Sequence, residues 1–82
     1  MSTIVRIPFQ IGAAIRRQRK LKGLTQAQLG QKTGLRQATI SQLEKGEGGA
    51  QLKTLTDVLS ALNLELVIQE RTTSPVSFED IF

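Results

Sequence analysis

Residues 23–44 of this 82-residue chain read GLTQAQLGQKTGLRQATISQLE, and they contain its strongest helix start and turn signals. Within this stretch, Thr25 is placed to cap a helix, and Gln28, three residues later, can complete a reciprocal capping box. This pattern predicts a short helix over residues 26–32. Gly34 follows and supplies the positive φ that ends a helix and turns the chain sharply.

A second helical pattern begins directly after this turn. Ile40 and Leu43 are spaced as a buried pair, and Gly46 is placed to end the helix. Two short helices joined by a four-residue turn that contains glycine form the helix-turn-helix arrangement.

The outward face of the second of these helices is uncharged and rich in amide and hydroxyl groups. Glutamine can pair with adenine in a bidentate manner, serine can bond several bases, and alanine can contact a thymine methyl. The candidate base-reading residues are Arg36, Gln37, Ala38, Ser41 and Gln42.

Arg36 is locally unfavourable where it stands. It occupies the expected N-cap, where Ser, Thr or Asn would be better by roughly 1 kcal/mol and where a positive charge opposes the helix dipole. A residue that breaks a local rule suggests function. We therefore expect Arg36 to reach guanine N7/O6 or the adjacent phosphate, the alternative being an incidental exposed arginine.

Two further helices flank this stretch. Pro8 suits the first turn of a helix near residues 8–22, whose apolar positions recur every three to four residues. A basic amphipathic helix could lie on a membrane, but the narrow apolar stripe favours core packing. The last helical pattern ends at Asn63, which tolerates a left-handed turn. Its stripe consists of Leu52, Leu55, Val58, Leu59 and Leu62, and forms either core or dimer surface.

Residues 64–70 alternate apolar and more polar positions, which predicts a β-strand with Leu64, Leu66 and Ile68 on one face. One strand cannot satisfy its own backbone, so it needs a partner. The candidates are its copy in a second subunit and residues 3–7. We expect pairing across a two-fold axis to contribute to a homodimer.

The C-terminal segment is polar and interrupted by proline before it ends in aromatic and acidic residues. It is either a disordered end or a docking segment for a toxin or protease that uses Phe78, Ile81 and Phe82 as anchors. The chain thus divides into a domain over residues 1–70, which includes the strand, and a tail over residues 71–82.

Charge is distributed unevenly along the chain. Residues 1–53 hold ten Lys or Arg and two acids, whereas residues 54–82 hold one Arg and five acids. The net charge is +4 and the pI is about 10.1. The basic part of the chain, residues 1–53, is suited to binding nucleic acid, and the alternative is that it is merely a solvated basic surface.

The composition excludes several functional classes. Without His or Cys the chain has no soft metal site, disulfide, thiol nucleophile or neutral-pH proton shuttle. We expect no enzymatic activity, catalytic residue, metal, cofactor or small-molecule ligand. No apolar run approaches the ~18 residues of a membrane span, so we expect a cytoplasmic, nucleoid-associated protein without membrane contact.

Residues 23–44 resemble the Xre (lambda-repressor/Cro-like) helix-turn-helix family through the TQ opening, the small residue Gly30, the turn glycine and the closing IS-x-LE. With the flanking helices, the resemblance covers roughly residues 8–63. It implies an all-α, lambda-repressor-like domain of four to five helices that binds palindromic operator DNA as a dimer. Gly30 departs from the usual alanine, which should weaken the helix by up to about 1 kcal/mol while allowing the same close contact.

The resemblance also implies roles for residues outside the base-reading set. Gln26 matches the family position that meets a phosphate, and Arg19 and Glu44 match positions that form a structural ion pair. Thr25 is a further phosphate candidate, although capping is its better assignment. From their charge, the other candidate phosphate contacts are Arg17, Lys20, Lys32, Lys45 and Lys53, and a merely solvated side chain is the alternative for each.

A helix-turn-helix domain followed by a short strand and tail is most similar to the HipB-type antitoxins. That resemblance implies a repressor of its own operon that binds a HipA-like serine/threonine kinase toxin in a type II toxin–antitoxin module. Two alternatives remain open at this point: a stand-alone phage-type or housekeeping Xre repressor, and a protein-interaction adaptor with vestigial DNA binding.

Overall fold

The computed structural model of this chain describes residues 8–71. It contains four helices: α1 (Pro8–Leu21), α2 (Gln26–Thr33), α3 (Gln37–Lys45) and α4 (Leu52–Ala61). All regular secondary structure in the described range is helical. The predicted all-α fold is therefore confirmed, and the predicted ends of α1 and α2 each differ from the structure by one residue.

The turn between α2 and α3 has the predicted chemistry. Thr25 Oγ1 accepts a hydrogen bond from the Gln28 backbone N–H at 3.0 Å, and Gln28 Oε1 accepts one from the Thr25 N–H at 2.8 Å. The capping box is thus confirmed. Gly34 is left-handed with a φ of 73°, and its N–H donates to the Gly30 carbonyl. This geometry sets the direction in which α3 leaves α2.

A small apolar core lies between the helices. α1 and α2 both pack against α3, and α2 also contacts α4. Ile40 and Leu43 are buried as predicted, whereas Leu52, at the start of the α4 stripe, is 68% exposed. The largest fully buried side chains are Ile15, Leu29, Ile40, Val58 and Leu62. Burial of these side chains contributes roughly 1.5–3 kcal/mol each and holds the outer face of α3 in a fixed orientation.

Two glycines allow the close helix approaches. A Cβ at Gly12 would lie 2.5 Å from the Glu44 carbonyl oxygen, so α1 and α3 meet backbone to backbone. A Cβ at Gly30 would lie 2.6 Å from the Leu35 carbonyl oxygen. The close contact expected at Gly30 is therefore present, and it is closer than an alanine would allow, because an alanine would force the turn to shift.

The chain after α4 turns at Asn63, whose φ of 59° confirms the predicted left-handed turn. Within the described residues, 64–71 form no strand. Both suggested pairing partners, a second subunit and residues 3–7, lie outside the described single-chain range, so the strand stays a prediction. Leu66, Val67 and Ile68 are all exposed. The tail anchors Phe78, Ile81 and Phe82 also lie outside the described residues.

Candidate nucleic-acid interface

The candidate base-reading residues lie at the start and along the outer face of α3. Arg36, Gln37, Ala38 and Gln42 are exposed, and Ser41 is half-buried. Ile40 and Leu43 occupy the opposite, buried side. The structure thus presents a short row of amide, hydroxyl and guanidinium groups on a helix whose other face is fixed in the core, which is the arrangement needed to read base edges in a major groove.

Arg36 occupies the N-cap of α3 as predicted. Its backbone is extended, with φ −74° and ψ 150°, and its side chain makes no capping hydrogen bond. Its carbonyl accepts from the Thr39 N–H at 3.0 Å and so begins the helix. The guanidinium is exposed and does not stabilise the helix end. Arg36 is therefore positioned where it can extend toward an external anion or base.

Arg19 and Glu44 form an ion pair between α1 and α3. Arg19 Nε lies 2.6 Å from Glu44 Oε2, and Arg19 Nη2 donates to Glu44 Oε1 at 3.1 Å. Arg19 is 8% exposed and Glu44 is 6% exposed. The third guanidinium nitrogen donates to the Leu24 carbonyl at 2.8 Å. A single buried guanidinium therefore connects α1, α3 and the loop that precedes α2.

The hydrogen bond from Arg19 to Glu44 raises the pKa of the Arg19 guanidinium, and this effect outweighs the opposing effect of burial. A raised pKa in the folded state adds stability that is fully present below the unfolded pKa and is lost only as pH rises through the folded value. Arg19 consequently remains charged, and its contribution stays constant, across the physiological pH range.

Gln26 makes a hydrogen bond that was not predicted from the sequence. Its Nε2 donates to Glu44 Oε1 at 3.1 Å, so the candidate phosphate residue is hydrogen-bonded to the buried carboxylate. Its side chain is half-buried. The only signal in the sequence was the polarity of Gln26 and Glu44 at a helix junction, which does not specify that the two side chains meet. The role of Gln26 at a phosphate stays a prediction.

The candidate phosphate cations are exposed but scattered. Arg17 and Lys20 share the outer side of α1, and Lys32 lies in the last turn of α2. Lys45 follows Ser41 by four residues, so it lies one turn further along the outer face of α3. Thr25 is exposed, with its hydroxyl engaged in the capping box. Among these cations, Lys45 is thus the one that helix geometry aligns with the base-reading row.

Lys53 is a less suitable phosphate ligand than its charge indicates. Its Nζ lies 2.8 Å from Asp57 Oδ2, one turn along α4. This hydrogen bond raises the pKa of the Lys53 ammonium, but the pair is exposed and its attraction is screened by water and salt. The local carboxylate would also oppose the approach of a phosphate.

None of the helices within the described residues combines the length and the apolar character that crossing a membrane requires. Over residues 8–71 no cluster of acidic, His or Cys side chains could hold a metal ion. The features that do stand out in this range are the exposed α3 face and the buried polar network behind it.

Comparison with known proteins agrees with this geometry. A family model described as helix-turn-helix matches residues 15–69. Antitoxin HipB of Escherichia coli strain K12 is 34% identical over 73 residues, which cover 88% of this chain and 83% of that protein.

Solved structures give the same result. A complex of a HipB variant with an O2 20mer matches with a TM-score of 0.80 and 30% identity, over 88% of this chain and all of that one. A HipA-HipB-O2-O3 complex matches with a TM-score of 0.78 and 30% identity, over 87% of this chain and all of its counterpart. The chain therefore belongs to the helix-turn-helix family and, within it, to the HipB antitoxins.

Proposed function

We propose that this chain is a cytoplasmic, sequence-specific DNA-binding repressor and the antitoxin of a type II toxin–antitoxin module. It binds the operator of its own operon and a HipA-like kinase toxin. The observation that carries the proposal is the row of polar groups formed by Arg36 at the N-cap of α3 and by Gln37, Ala38, Ser41 and Gln42 along its outer face, held from behind by the buried ion pair of Arg19 and Glu44. Family membership supports it, since HipB has been solved both with an O2 20mer and with HipA.

The mechanism follows from two-fold symmetry. A homodimer places two copies of α3 in successive major grooves about 34 Å apart, so the operator is a palindrome. Base contacts from the α3 face select the sequence, while Gln26 and the exposed cations hold the phosphates and fix the register. Occupation of the operator blocks the promoter. Because Lys and Arg displace counterions from DNA, affinity falls steeply as salt rises.

Replacing Arg36 with Ala should weaken operator binding about 5- to 150-fold, because a guanidinium contact to guanine contributes about 1–3 kcal/mol. The fold should be unchanged, since the Arg36 side chain caps nothing. Fluorescence anisotropy with the operator duplex and a scrambled duplex measures the effect. Arg71→Ala is the matched control, because it removes the same charge from an exposed position outside α3. Equal affinity of the Arg36→Ala and wild-type chains would contradict the base-reading role.

Removing residues 64–82 should give monomers at micromolar concentration, because the exposed Leu66, Val67 and Ile68 then no longer pair across the two-fold axis. Analytical ultracentrifugation gives the oligomeric state. A chain that ends at residue 71 is the control and should remain dimeric. Circular dichroism verifies that the shortened domain is folded, and a folded dimer of the shorter chain would refute the strand pairing.

A pull-down from native-host lysate tests the antitoxin function. The full-length chain and a version that ends at Gln69 serve as baits, and mass spectrometry identifies the retained proteins. A HipA-like kinase retained in stoichiometric amount supports the antitoxin proposal, and its loss with the shorter bait assigns docking to the tail. If neither bait retains a kinase while both bind promoter DNA, a stand-alone repressor becomes the better account.

A further inference from the structure

The buried carboxylate of Glu44 has two kinds of partner. Its Oε2 lies 2.6 Å from Arg19 Nε, while its Oε1 accepts from Arg19 Nη2 and from Gln26 Nε2, both at 3.1 Å. The ion pair alone would explain how α1 is joined to α3. It does not require the hydrogen bond to Gln26, which connects the same carboxylate to a half-buried side chain at the first residue of α2.

This hydrogen bond restricts the Gln26 amide. The amide group is planar and its nitrogen carries two N–H donors. When one N–H points at Glu44, the second diverges from it and points away from the buried carboxylate. A carboxylate accepts and never donates when ionised, so Glu44 also selects the amide orientation in which nitrogen, and not oxygen, faces it. Gln26 is thereby fixed as a donor.

The net charge of the network formed by Arg19, Glu44 and Gln26 also affects how it can meet DNA. A lone buried carboxylate near DNA would repel a phosphate, but Arg19 neutralises Glu44 through two contacts. Glu44 can therefore orient the Gln26 amide without adding net negative charge to the surface that meets DNA. Of Arg19 and Gln26, which both donate to the Glu44 carboxylate, Gln26 is the one that reaches solvent, since Arg19 is 8% exposed.

We propose that Glu44 is a positioning residue for DNA binding: it holds one N–H of Gln26 so that the other donates to a backbone phosphate, while Arg19 keeps the carboxylate neutralised. The ion pair thus couples the packing of α1 and α3 to the orientation of a DNA contact. This inference rests on the proposed function, because it requires that the chain bind duplex DNA.

A double-mutant cycle tests the coupling. Anisotropy titrations use the duplex that the wild-type chain protects in its own promoter region. Gln26→Ala should weaken binding about tenfold, as expected for a hydrogen bond to a charged group. Glu44→Gln should cost a similar factor, and the double variant should lose no more than either single one. Gln31→Ala, at an exposed position of the same helix, is the matched control and should bind like the wild type.

Gln26→Glu gives a test in which Glu44 itself is not replaced. It sets a second carboxylate against Glu44 and against the phosphate, so it should bind at least about tenfold more weakly than Gln26→Ala. Circular dichroism checks that each variant is folded. If Glu44→Gln fails to fold, the spectra described below test the contact between Gln26 and Glu44 in the wild-type chain.

Side-chain amide NMR gives a readout that a purely structural role would not move. In the free ¹⁵N-labelled chain, one Gln26 Nε2 proton should be shifted by its bond to Glu44; on addition of the duplex, the other should shift. Wild-type affinity in Gln26→Ala, additive losses in the cycle, or unmoved Gln26 amide protons would overturn the inference while leaving the proposed function intact. If the wild type and Gln31→Ala both fail to bind DNA, the proposed function fails as well.

Discussion

Replacing Glu44 with Ala should lower the free energy of unfolding by about 3–5 kcal/mol, because it leaves the buried Arg19 guanidinium without its counter-ion. A loss of this size is a large fraction of the total stability of a small domain. Urea unfolding followed by circular dichroism measures it. Glu47→Ala, at an exposed position just after α3, is the control and should change stability by less than about 0.5 kcal/mol.

The double variant Arg19→Met with Glu44→Leu distinguishes an unpaired charge from lost packing. Replacing both partners of a buried pair by apolar residues of similar volume is often neutral or stabilising, because the cost of desolvating two ions disappears. We therefore expect the double variant to recover most of the stability that Glu44→Ala loses. If Glu44→Ala costs less than about 1 kcal/mol, the pair does not hold α1 to α3.

Gly12→Ala should destabilise the chain by about 3 kcal/mol even though alanine is the better helix former by about 1 kcal/mol. The added Cβ would lie 2.5 Å from the Glu44 carbonyl oxygen and 2.7 Å from its carbonyl carbon, and it would also meet the Leu43 carbonyl oxygen. These are backbone atoms, so relief requires that α1 and α3 move apart.

In Gly12→Ala, the higher helix propensity of alanine should raise the melting temperature, whereas the close approach of α1 and α3 should lower it. Thermal unfolding shows which effect is larger. Gly49→Ala is the matched control, because a Cβ there meets no atom within 4 Å, and its melting temperature should match that of the wild type. A Gly12→Ala chain that melts at or above the wild-type temperature would show that helix propensity outweighs the close approach and that α1 and α3 are not in backbone contact.

Most of the fold could be predicted because local rules decide it. The capping box of Thr25 and Gln28, the left-handed Gly34 and the buried pair of Ile40 and Leu43 all follow from spacing within a few residues, and the structure contains each of them. The outer face of α3 follows by exclusion once the buried face is known. Such features depend on residues that are close in the sequence.

The features that could not be predicted depend on contacts between distant residues. The polarity of Gln26 does not show that its amide reaches Glu44, eighteen positions away. Nor does the sequence show that the backbone of α1 approaches α3 so closely at Gly12, or that a Cβ at Gly30 would meet the Leu35 carbonyl. These depend on how three helices pack, which single-helix periodicity does not encode.

A binding titration shows whether the face of α3 reads a specific DNA sequence. The purified full-length chain is titrated against the DNA upstream of its own coding sequence and against a scrambled duplex of equal length at 150 mM salt. If the α3 face selects the operator, the chain should bind the upstream DNA at least about 1,000-fold more tightly than the scrambled duplex. Equal affinity for the two duplexes would show that α3 does not read the base sequence.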